Sequence, residues 1–200
     1  MRVVLADYGA GNLRSVCAAL ARAGAEPAVV DDPRALLEAP LAIVAGVGHA
    51  ASAARGLAER RLDDALRERA ARGRPTFGIC VGMQLLFETS EEGGEGLGLL
   101  AGPVRRLRAS RVPHMGWNAL QVRGANGPLA GLDGEDVYFA HAYAAEPAEP
   151  RVVAAETDHE GTVVAAVEDG PLAGVQFHPE RSGAAGARVL ANVLRWSNAA

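Results

Sequence analysis

Short apolar runs alternate with longer amphipathic segments through the first half of the chain, and no other feature restricts the fold as strongly. The segments 13–23 and 50–72 carry apolar residues at helical spacing, and each ends beside a glycine, as helices commonly do. The apolar runs have the length of buried strands and comprise residues 3–6, 27–30, 41–45 and 75–79. Strands separated by helices pair in parallel, with helices on both faces of the sheet. The sequence therefore predicts an α/β fold with three α/β/α layers and a mainly parallel central sheet.

Beyond about residue 97 the pattern changes to short strand-like runs separated by turn residues. These runs comprise residues 104–107, 119–123, 137–140, 152–156, 163–168 and 174–177, and a helix over 184–196 follows them. No linker, repeat or break in composition separates the two halves. We therefore predict one domain over residues 1–200.

The composition excludes several classes of protein. Hydrophobic residues make up 49% of the chain, enough for a substantial core, and a net charge of -4 gives no basis for binding nucleic acid or a membrane surface. The acidic residue Asp7 comes too early for a secretory signal, and no apolar run approaches the roughly 20 residues that span a bilayer. With only two cysteines, Cys17 and Cys80, there is no disulfide framework, so we expect a cytoplasmic location.

A glycine-rich turn follows the first strand and partly matches a dinucleotide-binding motif. Gly9 and Gly11 have the required spacing, and Asp31 and Asp32 lie about 20 residues further on. The third glycine of the motif is missing, because Arg14 stands in its place. A glycine-rich turn beside a sheet is therefore the better interpretation, and we predict no cofactor.

The strongest functional signal lies at residues 75–88. A predicted strand is followed by a Gly-x-Cys-x-Gly sequence centred on Cys80, and residues 82–88 then begin a predicted helix. This arrangement is the sulfur counterpart of the Gly-x-Ser-x-Gly nucleophile elbow. In such an elbow the nucleophile lies in a strained turn, and the flanking glycines avoid collisions of Cβ atoms. Cys80 is therefore a candidate nucleophile, with the Val81 N–H directed at the oxyanion. Cys17 lies in a helical apolar pattern without flanking glycines and fits a structural cysteine.

A cysteine that attacks an amide needs a general base, and His178 is the strongest candidate. It ends an apolar strand in the sequence Phe-His-Pro-Glu, and in an extended chain His178 and Glu180 project to the same side. Glu180 would then orient the imidazole as the third member of a triad. The remaining histidines fit structural or solvent-facing positions better, and they are His49, His114, His141 and His159. No two histidines have a helical metal-ligand spacing, so we predict no metal site.

Four further stretches, together with the elbow and the Phe-His-Pro-Glu sequence, carry a resemblance to a known family. They are Asp-Tyr-Gly-Ala-Gly-Asn-Leu at 7–13, Ser-Glu-Glu-Gly at 90–93, Pro-His-Met-Gly-Trp-Asn at 113–118 and Tyr-Phe-Ala-His-Ala-Tyr at 138–143. Over nearly its whole length the chain resembles the class I (triad) glutamine amidotransferases, and most closely the glutaminase subunits of imidazole glycerol phosphate synthase. The triad alone indicates only the superfamily, and the stretches at 113–118 and 138–143 indicate the subfamily. The resemblance implies a flavodoxin-like fold.

The resemblance also implies a reaction. Cys80 would attack the side-chain amide of glutamine, His178 would protonate the departing ammonia, and water would hydrolyse the glutamyl thioester. Val47 would supply the second oxyanion N–H, beside that of Val81, after a peptide flip driven by the partner. The positions that would hold glutamine are Gly48, Gln84, Glu92 and the backbone of Ala142 and Tyr143. The ammonia would pass to a (β/α)8-barrel cyclase in a heterodimer, which would make imidazole glycerol phosphate and an aminoimidazole carboxamide ribotide.

The chain departs from the pattern of the family at several positions. The oxyanion loop of the family usually reads Pro-Gly-Val-Gly followed by a small residue and Phe, whereas residues 45–50 read Ala-Gly-Val-Gly-His-Ala, and the loss of the proline frees φ at Ala45. Ala142 replaces a hydroxyl residue at a main-chain contact. Arg181 stands where the family has a lysine at the subunit interface, and it keeps the charge with a different geometry. Trp117 and Tyr138 are either partly buried aromatics or anchors at the same interface, and the resemblance favours the interface for both.

Other interpretations of the sequence stay open. The arginines at positions 105, 106, 108 and 111 form either a solvated strand face or part of a docking surface for the partner. A related amidotransferase could use the same chemistry to supply ammonia to an amino-sugar or secondary-metabolite synthase. A scaffold without activity would only bind and position a synthase, and the complete Cys-His-Glu set argues against it.

Overall fold

The computed structural model describes residues 1–124 and 126–199. Strands and helices alternate in its first half, in the order β1 (Arg2–Ala6), α1 (Leu13–Arg22), β2 (Glu26–Val30), α2 (Pro33–Glu38), β3 (Leu41–Gly46), α3 (Ala50–Glu59), α4 (Leu62–Ala71), β4 (Thr76–Cys80) and α5 (Val81–Gln84). The second half contains β5 (Thr89–Ser90), β6 (Pro103–Arg106), β7 (His114–Ala119), β8 (Gln121–Val122), β9 (Asp136–His141), β10 (Tyr143–Ala145), β11 (Val153–Asp158), β12 (Thr162–Asp169), β13 (Leu172–Val175) and α6 (Gly183–Trp196).

The central sheet has eight strands in the order β2-β1-β3-β4-β13-β12-β11-β8. The strands from β2 to β13 pair in parallel, and β12, β11 and β8 extend the sheet with antiparallel pairs. Strands β10, β6 and β5 form a second small sheet, and β7 pairs with β9 in a third. The predicted α/β fold with a mainly parallel central sheet is confirmed.

The handedness of the crossovers places the helices on two faces. From β1 the chain moves outward to β2 through α1, and it then returns past β1 to β3 through α2. Because both crossovers between parallel strands are right-handed and run in opposite directions, α1 and α2 lie on opposite faces. Helix α6 packs against α1, whereas α2 and α3 pack against α4. Helices therefore cover both faces of the sheet, as the three-layer prediction required.

A shared core joins the two halves of the chain. Strands β1, β3 and β4 have almost entirely buried side chains, and one cluster of buried apolar residues extends from Val3 in β1 to Val193 in α6. The organisation as one domain over residues 1–200 stays a prediction, and this shared core supports it. No helix in the described ranges is both long and apolar enough to cross a bilayer.

The prediction of one helix over 50–72 was wrong. Arg60 and Arg61 separate α3 from α4, and Arg61 has a left-handed backbone with φ of 56°. Asp63 and Asp64 lie in the first turn of α4, where carboxylates stabilise a helix N-terminus. This acidic pair is the sequence signal of a second helix start.

Two further elements differ from the prediction. The helix expected over 82–88 is reduced to the four residues of α5, because the backbone carbonyls of residues 85–87 accept hydrogen bonds from residues 97–100 instead of from a following helical turn. Strand β7 begins at His114, and the predicted strand at 119–123 is divided between β7 and the two-residue β8. In a half-buried strand apolar side chains normally face the core and polar ones face water. Strand β7 has the opposite arrangement, because polar His114 is buried while Met115 and Trp117 are exposed.

The buried side chain of Arg69 in α4 ties three elements together. Its Nη1 donates to the carbonyls of Leu36, Leu37 and Ala39 at 2.8, 3.0 and 2.7 Å, and its Nη2 donates to the carbonyl of Pro75 at 2.5 Å. Burial lowers the pKa of Arg69 to about 10, so the guanidinium is still charged at pH 7. This single cation satisfies the C-terminal carbonyls of α2 and fixes the start of β4.

We expect Arg69→Met to lower the free energy of unfolding by at least about 3 kcal/mol, because methionine keeps an aliphatic stem but leaves several buried carbonyls without a donor. Urea unfolding of the variant and of wild type would measure the difference. Arg72→Met is the matched control at the C-terminal cap of the same helix. Arg72 makes exposed ion pairs with Glu38 and Glu68, so its loss should cost less than about 1 kcal/mol. Equal losses for the two variants would contradict this account of Arg69.

Candidate functional site

Three neighbouring parallel strands bring the candidate residues to one edge of the sheet. In the strand register Gly46 of β3 lies opposite Cys80 of β4, and Val175 of β13 lies opposite Ile79. His178 follows three residues after the end of β13. The carboxyl ends of parallel strands are the usual position of sites in open α/β sheets, and here they join the oxyanion loop (residues 46–49), the elbow and the Phe-His-Pro-Glu segment.

The backbone at Cys80 has the strained geometry that the elbow predicts. Its φ is 53° and its ψ is -112°, a conformation that non-glycine residues rarely adopt. A Cβ atom on Gly82 would lie 1.7 Å from the carbonyl oxygen of Val44, and one on Gly78 would lie 2.6 Å from the backbone of Met83. The two glycines are therefore needed for the turn to fit between β3 and α5.

His178 and Glu180 face each other below the elbow. The His178 Nδ1 lies 2.9 Å from Glu180 Oε1, and the two side chains are 5% and 2% exposed. A carboxylate can only accept, so Nδ1 carries the hydrogen and Nε2 is the nitrogen available to the Cys80 sulfur. Burial alone would lower the pKa of His178, but hydrogen bonding and charge from Cys80 and Glu180 outweigh it and raise the pKa to about 10. The imidazole is therefore protonated at neutral pH beside the sulfur.

Gln176 is a site residue that the sequence analysis missed. Its Nε2 lies 3.6 Å from the Cys80 sulfur, and its Oε1 accepts a hydrogen bond of 3.0 Å from Gln84. The side chain is fully buried. A glutamine directly after an apolar strand is the only sequence signal that could have drawn attention to it.

The oxyanion loop lies on the other side of the elbow. Gly48 has a φ of 88°, which favours glycine, and Val47 is 44% exposed at the mouth of the site. The Tyr8 hydroxyl donates to the carbonyl of Ala45 at 2.8 Å and so holds the end of β3 from below. Burial, with the charge of Cys80, raises the pKa of this hydroxyl, so that Tyr8 stays protonated.

Glu92 contacts the C-terminal end of the oxyanion loop. Its Oε2 accepts from the backbone N–H of Ala50 at 2.6 Å, and its Oε1 lies 3.4 Å from His49 Nδ1. Ala50 is the first residue of α3, so the carboxylate lies at a helix N-terminus, where negative charge is favoured. Glu92 is thus positioned both by the loop and by the helix that follows it.

A cavity of about 390 Å³ opens above Cys80 and His178. The predicted oxyanion residues Val47 and Val81 both contribute to its wall. Every residue predicted to hold glutamine also lines it, and these are Gly48, Gln84, Glu92, Ala142 and Tyr143. The structure therefore brings together predicted residues that are up to 134 positions apart in the sequence, from Val47 to Arg181.

Comparison with known proteins identifies the family. The family description Glutamine amidotransferase class-I matches residues 4–196. The chain belongs to the class I glutamine amidotransferases. It is 46% identical over 204 residues to the imidazole glycerol phosphate synthase subunit HisH of Thermobifida fusca, with 96% of each chain covered. The same-named subunit of Symbiobacterium thermophilum is 47% identical, with 96% of this chain and 92% of that protein covered.

A solved glutamine amidotransferase has the same fold. Its crystal structure superposes with a TM-score of 0.80 and covers 98% of both chains at 24% identity. The elbow, the cavity and the buried imidazole–carboxylate pair therefore lie within the fold of a class I glutamine amidotransferase.

The predicted interface residues of this amidotransferase form a contiguous stack beside the cavity. Trp117 and Tyr138 are partners in the β7–β9 register, with ring centroids 6.0 Å apart in an edge-to-face arrangement. The guanidinium carbon of Arg181 lies 4.7 Å from the centre of the Tyr138 ring. The backbone N–H of Tyr138 donates to Ser182 Oγ, which itself donates to the carbonyl of His178. The stack is thus tied directly to the segment that carries His178.

The arginine cluster is partly neutralised by neighbouring carboxylates. Arg105 makes ion pairs with Glu91 and Glu146 at 2.8 and 2.9 Å. Arg106 and Arg108 line a separate cavity of about 350 Å³, which shares no lining residue with the cavity above Cys80. Both interpretations of the cluster, a solvated face and a docking surface, stay open.

Proposed function

We propose that this amidotransferase is the glutaminase subunit of imidazole glycerol phosphate synthase. It hydrolyses glutamine to glutamate and ammonia, and the ammonia serves a cyclase partner in histidine biosynthesis. One observation carries the proposal: Cys80 and His178 line one cavity, and the buried Glu180 carboxylate lies 2.9 Å from His178 Nδ1, in a chain that is similar to HisH subunits over nearly its whole length. Its setting would be the cytoplasm, and it would need neither a cofactor nor a metal.

The three residues support a covalent mechanism. The Cys80 thiolate attacks the carboxamide carbon of glutamine, and the carbonyl oxygen takes up the negative charge. The backbone N–H groups of Val81 and Val47 stabilise this oxyanion. His178, protonated beside the sulfur, gives its Nε2 proton to the leaving nitrogen, and ammonia departs. A glutamyl thioester remains on Cys80.

Hydrolysis of the thioester restores the enzyme. His178, now neutral, takes a proton from water, which attacks the thioester carbon, and the C–S bond breaks to release glutamate and the thiolate. Glu180 keeps the Nδ1 proton in place through both steps, so Nε2 alone exchanges protons with the substrate. Of the glutamine-holding positions, Glu92 offers a carboxylate to the substrate ammonium, and Gly48, Gln84, Ala142 and Tyr143 form the surrounding wall.

The partner would be a (β/α)8-barrel cyclase that docks over the mouth of the cavity. Trp117 is 58% and Met115 is 66% exposed there, so a partner would cover apolar surface that is otherwise in contact with water. Tyr138 and Arg181 would lie within the same interface. Closure over the cavity would also keep ammonia from escaping into solvent on its way to the cyclase.

The decisive experiment measures glutamate release from glutamine by the purified chain, alone and with the cyclase partner from the same genome. We expect turnover with the cyclase and formation of a stable heterodimer. If the chain hydrolyses glutamine but the cyclase neither binds nor receives ammonia, the acceptor belongs to another pathway, such as amino-sugar or secondary-metabolite synthesis. Absence of hydrolysis with the partner and a substrate analogue of the cyclase present would overturn the proposal.

We expect Trp117→Ala to weaken binding of the cyclase by about 30-fold, since a large exposed aromatic at the centre of an interface often contributes about 2 kcal/mol. Isothermal titration of the variant and of wild type with the cyclase would measure the dissociation constants. Val29→Ala is a suitable control, because Val29 is 45% exposed on the edge strand β2, away from the cavity. If Trp117→Ala bound as tightly as the control, the docking surface would lie elsewhere.

A further inference from the structure

A chain of hydrogen bonds through two buried histidines leads from β7 to the wall of the cavity. Asn118 Nδ2 lies 3.3 Å from His114 Nε2, and His114 Nδ1 lies 3.1 Å from His141 Nε2. His141 Nδ1 in turn lies 2.8 Å from the backbone oxygen of Tyr143. The mechanism uses neither histidine, although both side chains are at most 5% exposed.

The end of this chain determines its direction. A backbone oxygen can only accept, so His141 Nδ1 must carry a hydrogen. His141 is then neutral only if its Nε2 accepts, and the donor is the N–H at His114 Nδ1. His114 Nε2 therefore accepts from Asn118, whose orientation is fixed independently because Nδ2 also donates to the carbonyl of Asp158 and Oδ1 accepts from the N–H of Ala119.

The surroundings keep both imidazoles neutral, which the chain requires. Burial lowers the pKa of His141 to about 3 and that of His114 to about 4. His114 is also stacked between Phe139 and His159, with ring centroids 4.4 and 4.1 Å away. At neutral pH each ring thus has one donor and one acceptor nitrogen, and each nitrogen has a partner.

The same carbonyl also determines the orientation of two side-chain amides at the site. Gln84 Nε2 lies 2.9 Å from the Tyr143 oxygen, so the nitrogen of this amide, and not its oxygen, must face it. The second Nε2 hydrogen then goes to Gln176 Oε1, which leaves Gln176 Nε2 directed at the Cys80 sulfur. No described residue donates to Gln84 Oε1, and this oxygen is not one of the buried side-chain atoms that lack a partner, so it is accessible from the cavity that Gln84 lines.

We propose that His114 and His141 are positioning residues that hold the Tyr143 carbonyl as a shared acceptor. This carbonyl in turn fixes Gln84 with its oxygen toward the substrate and Gln176 with its N–H toward Cys80. The cavity wall then presents a hydrogen-bond acceptor at Gln84 to an N–H group of the substrate. The inference rests on the proposed function, because it assigns the role in substrate binding to a residue of that site.

The experiment compares steady-state glutamine hydrolysis by the heterodimer in three variants. His114→Phe keeps a ring between Phe139 and His159 but removes both nitrogens of the chain. We expect it to raise KM for glutamine about 5- to 10-fold and to change kcat much less, because one hydrogen bond that positions the substrate-facing amide is lost. His114→Asn places Nδ2 where the imidazole Nδ1 was, so it should restore KM to within about twofold of wild type.

His159→Phe is the matched control, because it keeps an aromatic ring stacked on His114 and His159 is not part of the hydrogen-bond chain. Its KM should equal that of wild type. A KM for His114→Phe that also equals wild type, or a His114→Asn enzyme as impaired as His114→Phe, would overturn the inference. If His114→Phe does not fold, nitrogen-15 NMR of the wild type decides, since the chain requires neutral Nδ1–H tautomers at both His114 and His141.

The outcome is separable from the proposed function. A wild-type heterodimer that does not hydrolyse glutamine would contradict the function, whereas the NMR tautomers would still test the chain. An active wild type whose His114 or His141 is in the Nε2–H form would contradict the inference alone.

Discussion

Cys80→Ala is expected to lower kcat for glutamine hydrolysis by about 10⁵- to 10⁶-fold, the usual consequence of removing a nucleophile from a triad. The variant loses the thiol at the floor of the cavity, and no thioester can form. The oxyanion donors and the cavity wall stay in place, but the only reaction they could still assist is direct attack of water on the amide. Glutamate release by the heterodimer, followed over hours at high enzyme concentration, is sensitive enough to measure the residual rate.

The fold of this variant should be intact, since alanine is smaller than cysteine and keeps the Cβ of the strained turn. Cys17→Ala is the natural control: Cys17 lies half-buried on α1 and packs against the core, away from the elbow. A glutamine-analogue electrophile should label wild type and Cys17→Ala once and Cys80→Ala not at all. A Cys80→Ala enzyme that keeps more than about one hundredth of wild-type kcat would show that another nucleophile acts.

The sequence predicted those parts of the molecule in which neighbouring residues carry the signal. The elbow depends on Gly78, Cys80 and Gly82 within five positions, and the imidazole–carboxylate pair depends on residues two apart. The central strands of the parallel sheet were also predictable from the sequence, because β1, β3 and β4 are buried on both faces and appear as continuous apolar runs.

The missed features depend on contacts between residues that are distant in sequence. Gln176 reaches Gln84 across 92 positions, and Arg69 binds carbonyls 30 to 33 positions away. A buried glutamine or arginine resembles a surface residue until its partners are known. Strand β7 was missed for the same reason, because the buried His114 has its partners on β9 and in the turn between β11 and β12.

Glu180→Gln is expected to lower kcat/KM for glutamine about 10³- to 10⁴-fold without removing the nucleophile or the base. Glu180 Oε1 accepts from His178 Nδ1, and Oε2 has no hydrogen-bond partner among the described residues. If the glutamine oxygen faces Nδ1, the tautomer survives but the charge is lost, and an amide NH2 is buried without an acceptor. If the amide turns over, its N–H faces Nδ1 and drives the imidazole hydrogen to Nε2, the wrong nitrogen for a base.

The pH dependence gives this prediction a second readout. In wild type the pKa of His178 is raised to about 10, so the imidazolium is present below that pH and is lost as the pH rises through it. Removing the carboxylate removes one of the causes of the raised pKa, so the alkaline limb of kcat/KM should move to lower pH in Glu180→Gln. Glu149→Gln, which changes only an exposed ion pair with Arg151, should keep the wild-type profile. Because both effects follow from one carboxylate–imidazole contact, a variant that lost rate but kept its alkaline limb would mean that Glu180 acts through packing and not through its charge.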